Sequence, residues 1–119
     1  MDVLVTVEGD DTDDLRSLWE RVREDLPEAV APVEMPPPPG APSPVLEALS
    51  VDLTPDTTCA ALATALITWV RDHPTPTTVT ITDIEGRSLE VRSEHLKVLP
   101  DDRLRTEVTT LALALEERR

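Results

Sequence analysis

Valine alternates along the first residues of the chain. Val3, Val5 and Val7 fall on one side of residues 2–8, with Leu4 and Thr6 on the other. Period two with β-branched residues predicts a strand, covered largely on both faces. Gly9-Asp10-Asp11 breaks it. From Thr12 to Leu26 the period changes. Leu15, Leu18, Trp19, Val22 and Leu26 recur on one helical face, and Pro27 stops the helix. Residues 29–34 predict a short strand, which Pro32 confines to a sheet edge because proline cannot donate to a ladder. Residues 35–43 are a proline-rich surface loop. Ser43-Pro44 then resembles a helix start, and Val45, Leu46 and Leu49 give residues 44–51 a helical inward face.

The second half is more regular. Residues 56–72 predict a long helix, apolar nearly all round, closed by His73-Pro74. Residues 77–83 and 87–92 alternate strictly, with Val79, Ile81, Leu89 and Val91 inward, and Glu85-Gly86 supplies the turn of an antiparallel hairpin. Residues 93–99 carry no clear period. Pro100-Asp101-Asp102 opens a terminal helix with Leu104, Val108, Leu111 and Leu115 on one face. The order β-α-β-α-α-β-β-α predicts an α+β fold: a four-stranded mixed sheet, its first βαβ unit a parallel crossover, covered by helices mainly on one face. With 119 residues, a single domain spanning 1–119 is expected.

Composition narrows the partners. The formal net charge is −13, and the chain has two Trp but no Tyr or Phe. An acidic body repels phosphate backbones, and two indoles make no base-stacking platform, so nucleic acid is not an expected partner. A single cysteine, Cys59, excludes an internal disulfide framework. No membrane span is expected. The longest uncharged stretch, residues 57–70, would rise about 21 Å as a helix. A hydrocarbon core needs about 30 Å. With no basic, apolar leader pattern at its start, the chain reads as cytoplasmic.

The candidate chemistry is sparse. Glu8 to Asp14 contains five carboxylates in seven residues, which makes a small metal-dependent enzyme the alternative reading. Helix capping by Asp11 or Thr12, with Asp13 and Asp14 in the first turn, accounts for the same residues without a metal. No glutamate stands at the offset that an EF-hand loop requires. Cys59 and His73 would lie roughly twenty Å apart on one helix, too far for a nucleophile–base pair. His73 reads as a cation at a helix C-terminus, and His95 as a loop residue. No glycine-rich phosphate loop is present. Neither a catalytic set nor a cofactor is therefore expected.

Several segments stand in a telling order. They are Val5-Thr6-Val7-Glu8-Gly9-Asp10-Asp11, Asp14-Leu15-Arg16-Ser17-Leu18, the proline-rich stretch 36–44, Val45-Leu46-Glu47-Ala48-Leu49, and a helix closing on Trp69-Val70-Arg71. A hairpin and a terminal helix follow. This set resembles the effector-associated constant component family of bacterial conflict systems. The resemblance implies a small non-enzymatic adaptor or regulator. Its partner would be an effector encoded nearby, such as a trypsin-like or caspase-like peptidase or a STAND-type ATPase.

Two surfaces are candidates for that partner. From Glu8 to Glu28 nine acids face three arginines, a segment carrying six excess negative charges, and Asp13, Arg16 and Glu20 represent its outer face. The second is the small-residue side of helix 56–72, represented by Ala63 and Ile67. A homodimer, or a structural homo-oligomer subunit, would use the same helix.

Overall fold

The computed structural model describes residues 2–9, 13–35, 39–40, 45–54 and 56–117. Five strands and four helices occur among them: β1 (Asp2–Gly9), α1 (Asp14–Asp25), β2 (Val30–Met35), β3 (Val45–Asp52), α2 (Asp56–Asp72), β4 (Thr77–Thr82), β5 (Ser88–Arg92), α3 (Ser93–Lys97) and α4 (Asp101–Glu116). The fold is α+β. The strands form one sheet in the order β2-β3-β1-β4-β5, and every neighbouring pair is antiparallel.

Three expectations are corrected. The sheet has five strands rather than four, it is antiparallel rather than mixed, and residues 45–52 are a strand rather than a helix. The third explains the other two. β1 and β2 do run parallel, as a βαβ crossover requires, but β3 inserts between them and pairs antiparallel with both. The same holds for β3 and β4, which flank β1. The first six elements thus make two interlocked split βαβ units, a ferredoxin-like arrangement, and β5 extends the sheet beyond β4.

The misleading period in β3 has a local cause. Val33 pairs with Ala48, but Glu34 pairs with Leu46, so Glu47 is an extra residue in a β-bulge. The bulge brings Leu46 and Leu49, three apart, toward the same core. An i, i+3 spacing otherwise belongs to a helix.

The core lies between the sheet and a layer of helices. Val3, Val5, Leu49, Val51, Val79 and Ile81 point up from the sheet and are fully buried or nearly so. Leu18 and Val22 of α1, and Leu62, Leu66 and Val70 of α2, point down onto them. Each fully buried leucine contributes about 1.5–3 kcal/mol relative to exposure. α1 covers the β2-β3-β1 half, α2 covers β4 and β5, and α4 packs on α2. No described helix packs on the other sheet face. Leu4 is 44% exposed there, beside half-buried Thr6, Thr78, Thr80 and Thr82. Strand β1 is therefore covered on one face, not both.

Candidate interaction surfaces

The hairpin that ends the sheet is held by one side chain. Asp83 is buried at the turn. Its Oδ1 accepts the backbone N–H of Glu85 (2.9 Å) and of Arg87 (3.0 Å), and its Oδ2 accepts Nε of Arg87 (3.0 Å). Gly86 completes the turn with φ +85°, a conformation costly for any residue with a Cβ. Burial alone would raise the Asp83 carboxyl. The two backbone donors and the Arg87 guanidinium outweigh it and hold the group below its ordinary value of 3.8.

This turn sets the phase of β5. The Asp83 N–H donates to the Arg87 carbonyl (2.9 Å), and the register runs on through Ile81↔Leu89 and Val79↔Val91. In an antiparallel ladder, hydrogen-bonded pairs alternate with non-bonded ones. Leu89 and Val91 therefore bond to β4, while the main-chain groups of Ser88, Glu90 and Arg92 point away from the sheet. Beneath this edge lies an apolar cavity of about 270 Å³. Leu89 and Val91 of β5, Ile67 of α2, Leu96 of α3, and Leu111 and Ala114 of α4 form its walls. At its rim Arg92 Nη2 bonds Glu90 Oε2 at 2.6 Å, and His95 Nε2 lies 3.4 Å from Glu107 Oε1.

The sequence-predicted surface residues divide into two groups. Asp13, Arg16 and Glu20 are exposed along the outer side of α1. Arg16 borders a shallow groove with Trp19, Pro32, Glu34 and Leu46, and the Arg23 guanidinium lies 4.6 Å from the Trp19 ring centre. Ala63 and Ile67 are buried, at 0% and 3% exposure, because the back of α2 is occupied by α4. A partner cannot reach Ala63. Ile67 is reached only as part of the cavity wall.

A cluster that sequence reasoning missed joins the start of α1 to the end of α2. His73 Nε2 sits 3.2 Å from Asp14 Oδ1, without the alignment of a hydrogen bond, and both side chains are nearly buried. The His73 ring stacks on Trp69 with centroids 4.7 Å apart, and Trp69 Nε1 donates to Ser17 Oγ (3.1 Å). Lys97 Nζ donates to the His73 carbonyl (2.6 Å), which ties in α3. Asp14 thus turns inward. Asp13, the residue before α1, makes no side-chain cap bond. The expected caps Asp11 and Thr12, with Asp10, lie outside the described residues. Among the described residues no three of His, Cys, Asp and Glu converge to hold a metal ion, and no helix is long and apolar enough to cross a membrane.

Against this geometry, the sequence model of one family, Effector Associated Constant Component 1, matches residues 7–114. The chain belongs to that family. No curated protein and no solved structure matches it. The matched span runs from the end of β1 into the last turn of α4, so the hairpin, the cavity under β5 and the exposed side of α1 all fall within the family unit. As a family member the chain is an effector-associated component.

Of these features, the acidity of the stretch from Glu8 to Glu28 was visible as a count of charges. The Asp14–His73 pair was not, because 59 positions separate the two residues and only the packing of α1 against α2 joins them. The β5 cavity gave no signal of its own. Its walls come from four elements, and each wall residue reads in sequence as an ordinary core position.

Proposed function

We propose that the chain is a non-catalytic adaptor that binds an effector protein in a bacterial conflict or signalling system. The observation that carries this reading is the match to an effector-associated family across nearly the whole fold. The polar chemistry supports it. Cys59 is buried in the core, His73 is held between Asp14 and Trp69, and His95 stands on the surface beside Glu107. Cys59 and His73 are thus taken up by the core and by α1, and His95 pairs with Glu107 at the rim of an apolar cavity lined, among the described residues, by no cysteine or serine. The net charge of −13 supports association with a basic surface, since opposite fields speed encounter.

The effector is the product of a neighbouring gene, of a peptidase or STAND-type ATPase kind, and the complex forms in the cytoplasm. Co-expression followed by size-exclusion chromatography and calorimetry tests the reading. A one-to-one or higher complex that weakens as salt rises is expected. Separate elution of the two proteins at tens of micromolar, with every neighbouring effector tried, would overturn it.

A further inference from the structure

The helical layer is wider than the sheet it covers. α1 and α2 together pack on the five strands, whereas α4 packs on α2 and faces β5 across a cavity. The place beneath α4 where a sixth strand would lie is the apolar cavity beside β5. The edge facing that place keeps its main-chain groups. Ser88 and Glu90 present both their N–H and C=O groups outward and Arg92 its N–H, while the Arg92 carbonyl, one residue before α3, opens that helix; the β4–β5 register is continuous, without a bulge. Ser88–Arg92 contains no lysine, proline or bulge, and its two charged residues, Glu90 and Arg92, neutralise each other. Three of the exposed large apolar side chains are carried by the segments framing β5: Ile84 in the preceding turn, Val98 after α3, and Leu113 on α4.

We propose that the β5 edge takes up an extended, basic segment of a partner protein as a sixth strand, with one aliphatic side chain of that segment seated in the cavity under α4. Main-chain bonds to Ser88, Glu90 and Arg92 provide the attachment, and the pocket selects every second side chain. The volume is ample for one aliphatic side chain, walled by Leu89, Val91, Ile67, Leu96 and Leu111. Charge decides between a foreign strand and a second copy. Two copies would bring −13 against −13, whereas a basic strand meets the whole-chain field; at the rim Glu90 and Glu107 are already partnered by Arg92 and His95, so the steering comes from the chain as a whole.

The inference rests on the adaptor reading, and its test is separable from that reading. The probe is a labelled synthetic peptide of about nine residues, the length of a generous strand, alternating valine with lysine. Its counterpart alternates valine with glutamate. The basic peptide should bind the full chain and slow amide exchange at Ser88, Glu90 and Arg92, and the acidic one should not. Glu90→Pro removes the central outward donor without touching the β4 ladder, and Thr110→Trp fills the cavity mouth from an exposed position on α4. Each should weaken binding about ten-fold or more, while Glu90→Ala, which keeps the N–H, should change it less than about three-fold. Unchanged binding by both Glu90→Pro and Thr110→Trp, or no protection of the three amides at saturating peptide, would overturn the proposal. So would a wild-type dimer in sedimentation that Glu90→Pro dissolves, because the occupant is then a second copy. An effector complex indifferent to Glu90→Pro would overturn this inference and leave the adaptor reading intact. Failure to bind any effector would overturn that reading, and the peptide result would stand by itself.

Discussion

The two edges of the sheet are built from strands of similar length, yet they treat their outward hydrogen-bonding groups in opposite ways. On β2, Asp52 N–H donates to the Ala29 carbonyl, which puts Val30 and Pro32 in the outward phase. The Val30 N–H is taken by the Leu26 carbonyl (3.3 Å), and Pro32 has none. The bulge at Glu47 of β3 then shifts the pairing between Val33 and Glu34. On β5 the outward N–H groups of Ser88, Glu90 and Arg92 are all retained, over an apolar cavity. An edge that cannot accept a strand beside one that can shows how a small sheet directs association to one side.

The largest expected effect removes the support beneath either edge. Leu49 lies opposite Pro32 and Ile81 opposite Leu89, and both are fully buried. Leu49→Ala and Ile81→Ala should each cost about 2–5 kcal/mol in urea unfolding. Equal costs would show that the two edges differ in main-chain chemistry and not in the packing below them.

The next effect is confined to β5. Asp83→Ala strands two backbone donors and leaves Arg87 with Glu85 as its remaining partner. Tm should fall by several degrees, and amide exchange should quicken in β4 and β5 while β2 and β3 keep their protection. The same contact predicts a pH dependence. The folded state holds the Asp83 carboxyl low, so its contribution is complete above the ordinary value of 3.8 and is lost as pH falls below it through the lowered one. In Asp83→Asn that part of the acid transition should disappear from a pH titration followed by circular dichroism.

Smaller still is the effect of opening the closed edge. Pro32→Val restores an outward N–H on β2 and frees the unfolded chain, which together should cost about 0.4–1 kcal/mol. Light scattering should then show self-association that the wild type lacks, and an unchanged monomer would mean that the bulge protects β2 without help from proline. Last, Glu90→Gln breaks the exposed pair with Arg92. Exposed pairs contribute little, so Tm should not move measurably, and any loss of basic-peptide binding would report charge at the β5 rim alone.

Much of this fold was legible in sequence because local period and burial agreed. α2 runs from 56 to 72 as its apolar wrapping predicts, β4 and β5 follow strict alternation, and Pro32 marks an edge strand. Residues 45–52 misled for a definable reason. A bulge gave a strand the inward spacing of a helix, and Ser43-Pro44 supplied a plausible cap, so one local misreading changed both strand count and sheet type. Residues 93–99, which carry no clear period, form the short α3, whose Leu96 joins the core.

What the sequence determined by itself was therefore the alternation of each hairpin strand, the edge position of β2, the acidity of the stretch from Glu8 to Glu28 and the nearly all-round apolar character of α2. All of these are set by side chains near one another along the chain. Only the tertiary structure decided what covers α2, and it placed α4 there, so that Ala63 and Ile67 are buried rather than presented. It also decided that Asp14 meets His73 and that a cavity opens beneath β5. Each of these depends on how elements far apart in the chain are laid side by side, and a residue's own period says which way it faces without saying what it will face.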